Sequence, residues 1–146
     1  MTVRIFSLCA LILVAACRPV LIFPGGELDG TLSQAPQDWS HTSAIKTIQL
    51  ETRRKDPYSV NIWVIAMGPD LYVHAGANRT TWVEHMEADP NVRIRIEEKL
   101  YELGASRVED EIEFARFSDA YEDKYDSRPR NENVAEAYLF RLSVPD

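Results

Sequence analysis

Val92, Ile94 and Ile96 alternate with Arg93, Arg95 and Glu97, a two-residue period that puts every apolar side chain on one face of a strand. Other short β-type runs surround it. Ile45, Thr47, Ile48 and Leu50 form a strand whose inward face shifts midway, as a bulge would allow. After a charged turn, Arg53-Arg54-Lys55-Asp56-Pro57, the stretch Tyr58 to Ala66 is dense in β-branched and aromatic residues. Gly68-Pro69-Asp70 then closes a hairpin to Leu71-Tyr72-Val73-His74. Lys99 to Val108 reads as the hairpin partner of the alternating strand, with Gly104 at a bulge. Ala135 to Val144 ends the chain as a strand, with Ala137, Leu139 and Arg141 opposite Tyr138, Phe140 and Leu142.

Two stretches have a helical period instead. Gly76 to Arg79 makes a loop, and Thr80 or Thr81 caps a short helix running through Glu87, with Trp82, Val83 and Met86 on one face. Glu109 to about Tyr125 is the longer helix, presenting Ile112, Phe114, Ala115, Phe117 and Tyr121. Six short strands with two helices cannot build a doubly wound parallel sheet. The expected fold is mainly β, a six-stranded antiparallel barrel with two flanking helices, because closure hides strand edges and buries the apolar faces.

The N-terminus predicts a location. Arg4 precedes a ten-residue apolar run, Ile5 to Val14, too short to cross a bilayer about 30 Å thick as a helix. Val14-Ala15-Ala16-Cys17 follows, and the segment resembles a bacterial lipoprotein signal with Cys17 as the lipidated residue. An ordinary signal peptide with an incidental cysteine is the alternative. The organisation expected is a signal peptide over 1–16, a lipidated tether and arm over 17–40, and the barrel over 41–146. The arm carries Pro19, Pro24, Gly25, Gly26, Gly30 and Pro36, which break helix and sheet ladders, while Trp39 is expected to plug the barrel. Removing sixteen residues from 146 leaves 130, enough for one core. The chain would then sit in a cell envelope, anchored by acyl chains such as palmitate. Arg18 in place of Asp favours the outer membrane if the cell is Gram-negative.

Cysteine and charge exclude several chemistries. The two cysteines are Cys9, lost on cleavage, and Cys17, blocked by lipid, so no thiol nucleophile or disulfide is expected in the folded part. The formal net charge of −7 becomes −8 once Arg4 is removed, which argues against nucleic acid as a partner. His41, His74 and His85 lack the spacing of a zinc helix, and no metal is expected. Trp63 and Trp82 are read as barrel packing, and His85 as facing solvent.

Leu50-Glu51-Thr52-Arg53-Arg54, Pro57 to Trp63, Leu71-Tyr72-Val73, Trp82, and Ala88 to Ile96 in this order resemble the split β-barrel flavoproteins. That group comprises the pyridoxamine 5′-phosphate oxidase-like proteins and their deazaflavin-dependent nitroreductase relatives. The resemblance runs from about Trp39 to Leu142. It implies a split barrel, a homodimer, and FMN or a deazaflavin as cofactor. Carried over position by position, it points to His74, Arg79, Thr80 and Thr81 around the cofactor phosphate and to Asn61 on the strand. A helix start offering free N–H groups, hydroxyls and a guanidinium suits a phosphate.

Two departures keep two functions in play. The strand Ser59 to Trp63 carries no cation, and Glu84 stands one turn into the helix. Arg53 and Arg54 either reach a phosphate or simply solvate a hairpin tip. One function is an oxidoreductase acting on a small acceptor through a bound flavin or deazaflavin. The other is a non-catalytic envelope lipoprotein whose barrel binds another small ligand or a protein partner.

Overall fold

The computed structural model describes residues 25–145. The expected signal peptide, Cys17 and the first part of the expected tether lie outside the described residues.

After the short strand β1 (Thr31–Leu32) come β2 (Thr47–Thr52), β3 (Tyr58–Trp63), β4 (Ile65–Met67) and β5 (Asp70–His74). Helix α1 (Thr81–Ala88) leads to β6 (Asn91–Ile96) and β7 (Lys99–Arg107), then α2 (Glu111–Tyr125) and β8 (Leu139–Ser143). The strands form one mainly antiparallel sheet in the order β3-β2-β6-β7-β8-β5-β4, with β1 added in parallel to β7. The fold is an antiparallel curled sheet with two helices, a split barrel. Among the described residues it has eight strands rather than six. Two differences account for this: the arm contributes β1, and the run from Tyr58 to Ala66 breaks at Val64.

That break is where the barrel splits, and side chains from α2 satisfy the backbone it frees. The Tyr125 hydroxyl accepts from the Val64 N–H at 3.0 Å. Its single proton has two carbonyls in reach, those of Val64 and Lys46, each at 2.8 Å. Lys124 Nζ also donates to the Val64 carbonyl at 2.9 Å. Burial pushes the Tyr125 phenol up to about 12, so it keeps its proton across the physiological range.

The β2–β3 and β6–β7 hairpins follow the alternating pattern. Register in β7 runs without interruption from Lys99 to Gly104 opposite β6, so no bulge forms there. Instead Gly104 is where β7 passes from β6 to β8, pairing with Ser143. Likewise β2 pairs one-to-one with β3 from Thr47 to Thr52, and Ile45 packs on the core from outside the strand.

Two apolar clusters hold the fold. Leu50, Ile94, Leu103 and Leu142 fill the barrel with Trp39, which is fully buried and meets Tyr101 edge-on at 5.0 Å. Ile65, Tyr72, Phe114, Phe117 and Leu139 form a second cluster beneath α2. Strands β5 and β8 therefore bury both faces, which an open sheet edge could not do. Helix α1 buries Trp82, Val83 and Met86 as expected. Helix α2 starts two residues later than a Glu109 start implies, because the Asp110 carboxylate caps it by accepting from the Glu113 N–H at 2.7 Å. Its buried face is Phe114, Phe117 and Ser118, while Ile112 is 73 % exposed, contrary to expectation.

The arm is docked along much of its described length. Gly25 bridges to Ser59, Leu28 is buried, and its N–H donates to the buried carboxylate of Glu51. Arg93 lies 3.5 Å from Glu51 and supplies the counter-charge. At the β2–β3 tip, Arg53 pairs with Asp56 and Arg54 with Glu102, so both cations stabilise the hairpin. His85 does not face solvent freely: its Nδ1 meets Thr52 Oγ1 at 2.9 Å, and its ring sits edge-on to Tyr58.

Candidate functional site: an aromatic cleft at the end of β5

Strand β5 pairs with β8 as far as His74 opposite Leu139. The ladder continues briefly beyond: Ala75 N–H donates to the Tyr138 carbonyl, and Tyr138 N–H to the Gly76 carbonyl. Gly76 then takes a positive φ of 61°, and the chain turns away toward α1. Between this turn, the end of β3, α2 and the segment 130–132 opens a cleft of about 620 Å³. Trp63, His74, Tyr121 and Arg130 line it, together with the 75–78 loop. An inner recess of about 190 Å³ shares Trp63, His74 and Tyr121 and reaches Ile62, Tyr72 and Phe117.

One wall is aromatic. Trp63 is 51 % exposed, and its indole stacks on Tyr125 with centroids 4.5 Å apart and planes 15° from parallel. Tyr121 leans on Tyr125 at 4.8 Å and on Phe117 at 5.7 Å. Such rings give a ligand large apolar area at little cost in conformational entropy.

His74 supplies the polar point in this wall. Its ring lies 5.6 Å from Phe117 and 6.4 Å from Tyr121. Burial among these rings pulls its pKa down to about 4, so the imidazole is neutral at neutral pH. Among the described residues its Nε2 has no hydrogen-bond partner. A buried ring nitrogen left unpaired costs free energy that a ligand or water can recover.

Another wall is the 130–132 part of the segment that follows α2. Asp126 closes α2 in the left-handed conformation, and Arg128 then ties the segment to the helix. Its guanidinium meets Asp119 at 3.0 Å, Glu122 at 2.9 Å and Glu132 at 2.9 Å. Arg130 has no ion-pair partner among the described residues, and its charge lies near enough to Tyr121 to oppose the upward effect of burial on that phenol.

The sequence-predicted residues divide. Asn61 borders the inner recess and His74 is central to both cavities. Arg79, Thr80 and Thr81 do not line the cleft. The Arg79 guanidinium is taken by Glu87, with Nε at 3.0 Å and Nη2 at 2.7 Å, and Glu84 lies 3.7 Å from Nη1. Thr80 is the N-cap of α1 but caps nothing with its side chain, and its Oγ1 is buried with no hydrogen-bond partner among the described residues. Thr81 is exposed at the first helical position.

Trp63, Tyr121 and Arg130 were not anticipated as site residues. Trp63 does not pack the barrel interior, contrary to expectation. The signal for it was available, since Asn61 and Trp63 share the face of β3 opposite the buried Ile62. Arg130 lies in a segment without periodicity, so nothing local marked it.

A family model described as an uncharacterized protein conserved in bacteria (DUF2255) matches residues 39–138, from the Trp39 plug to the strand-end partner Tyr138. The chain belongs to the DUF2255 family. No curated protein matches this DUF2255 chain. Solved structures share its fold. A candidate 5-nitroimidazole antibiotic resistance protein from Bacteroides thetaiotaomicron superposes with a TM-score of 0.54 at 15 % identity, over 69 % of this chain and 74 % of that one. A candidate pyridoxamine 5′-phosphate oxidase from Listeria innocua gives 0.53 at 16 % identity, over 69 % and 85 %. A FAD-binding protein from Mesorhizobium loti gives 0.50 at 16 % identity, over 71 % and 84 %. This DUF2255 chain thus has the split-barrel fold of the pyridoxamine 5′-phosphate oxidase-like proteins.

Proposed function

We propose that this DUF2255 chain is an envelope protein, lipid-anchored through Cys17, that binds a flavin- or deazaflavin-class ring in the His74 cleft and serves an oxidoreductase reaction on a small acceptor. One observation carries the reading: a half-exposed stacked wall, Trp63 on Tyr125, stands beside a cavity of about 620 Å³ that is also lined by His74, whose Nε2 has no hydrogen-bond partner among the described residues. A flat ring fits this donor set. Trp63 and Tyr121 offer faces, neutral His74 a hydrogen bond to the ring edge, and the 75–78 loop close backbone approach. Bound there, such a ring would supply the electron transfer, and the chain's residues would orient it and exclude water. The FAD-binding relative and the pyridoxamine 5′-phosphate oxidase-like fold support the cofactor class. A homodimer belongs to the same reading and is read by sedimentation.

The residues at the start of α1 do not fit a cofactor phosphate. Arg79 is already paired with Glu87, and Thr80 Oγ1 is buried. That observation favours the second reading, a non-catalytic envelope barrel that binds another small ligand or a protein partner.

The test is a fluorescence titration of riboflavin, FMN and a deazaflavin into the detergent-solubilised full chain. Micromolar binding of at least one, weakened roughly tenfold in Trp63→Ala, is expected. Absence of binding by all three refutes the cofactor reading and leaves the non-catalytic barrel.

A further inference from the structure

Building on the cofactor reading above, we infer that the cleft selects a ring without a terminal phosphate, and that Glu84 and Glu87 enforce this selection. The 75–78 loop that lines the cleft runs directly into Arg79 and the first turn of α1. A phosphate tail leaving the cleft along that loop arrives at a charge cluster that is already balanced. Arg79 is held by Glu87 at 2.7 Å with Glu84 at 3.7 Å. Arg107, the next guanidinium, sits 3.9 Å from the other Glu87 oxygen, donates to the Ala137 carbonyl and lies over the Tyr138 ring at 4.6 Å. Two cations therefore face two carboxylates, and no net positive charge is left for a dianion.

Drawing Arg79 onto a phosphate would strip Glu84 and Glu87 of a partner while placing the new dianion beside them. Like charges at such separations repel measurably even through solvent. The free N–H groups of the helix start act in the opposite direction, but Glu84 stands in that same first turn and opposes them. Inside the cleft Arg130 has no ion-pair partner among the described residues, since Glu132 is held by Arg128, but it lies on the 130–132 segment and not on the 75–78 loop. A ligand whose tail follows that loop is held there by its ring and polar edge, as an unphosphorylated flavin is.

The test compares riboflavin with FMN by flavin fluorescence quenching on the detergent-solubilised full chain, across a salt series. Riboflavin is expected to bind at least about threefold tighter than FMN. Added salt should narrow that gap by screening the repulsion, leaving riboflavin unchanged. Glu84→Gln/Glu87→Gln, which frees Arg79, should raise FMN affinity about tenfold over riboflavin. FMN binding tighter than riboflavin in the unmodified chain, weakening with salt, overturns the inference while upholding the flavin reading. Failure of both flavins to bind overturns the inference, and failure of the deazaflavin as well overturns the cofactor reading with it.

Discussion

The buried imidazole of His74 makes stability depend on pH in a way that can be worked out in advance. Its folded pKa is depressed, to about 4, while an unfolded chain titrates near the model value of 6.5. The neutral form is therefore the one the fold favours. Its contribution is fully present above pH 6.5 and is lost as pH falls from there toward about 4. At about pH 5 the unfolded chain has taken up this proton almost completely and the folded chain has not. The linkage relation gives a loss of about 2 kcal/mol, and partial solvent access to the ring lowers it to about 1 to 2 kcal/mol. Other groups, among them His85 with its own lowered pKa, modulate the total but not the difference. Asp70 is raised by desolvation and so opposes the loss, whereas Asp38 and Asp89 are lowered and act only below the window. Urea unfolding at about pH 7.5 and about pH 5, on the chain and on His74→Gln, isolates the effect. The unmodified chain should lose about 1 to 2 kcal/mol more than the variant between the two conditions. Equal losses would refute the assignment of a neutral, buried imidazole.

Two further substitutions probe the architecture that positions the cleft. Tyr125→Phe removes the hydroxyl that satisfies Val64 at the barrel split, leaving its N–H without that partner and costing about 1 to 2 kcal/mol in urea unfolding. Gly30→Ala places a Cβ 2.9 Å from the Glu98 carbonyl at a φ of +155°, so the arm should lift from β7. Limited proteolysis should then cut the arm faster while the barrel stays protected; unchanged cleavage would show that the docked arm contributes little.

Much of the fold was legible because its signals are local. Alternation at Val92, Ile94 and Ile96, the Gly68-Pro69 turn, and Trp82, Val83 and Met86 on α1 each follow from the spacing of a few neighbouring residues. Trp39 as a plug was equally readable, since a lone tryptophan at the end of a polar arm has few other uses. The break at Val64 was not, because the run around it is uniformly β-forming. What interrupts it is Tyr125 and Lys124, some sixty residues away along the chain. The exposed Ile112 shows the same limit from the other side. Apolar spacing marked it for the core, yet β4, β5 and β8 cover only the Phe114–Phe117 face.

The site divides along the same line. His74, carried over from the family resemblance, does line the cleft. Arg79 came from the same resemblance, and neither its position nor its charge says whether a guanidinium is free. Glu84 and Glu87 were in plain view at helical spacing, but the rotamers that direct Arg79 onto Glu87 belong to the folded helix. By itself, then, the sequence determined a small, mainly β barrel with two helices, since periodicity and turn chemistry act between neighbours. Tertiary structure alone decided where the barrel splits, that Arg130 has no ion-pair partner among the described residues, and that Trp63, His74, Tyr121 and Arg130 meet around one cleft. Those outcomes depend on side chains distant in sequence competing for the same partners, and that competition is resolved only once the chain has folded.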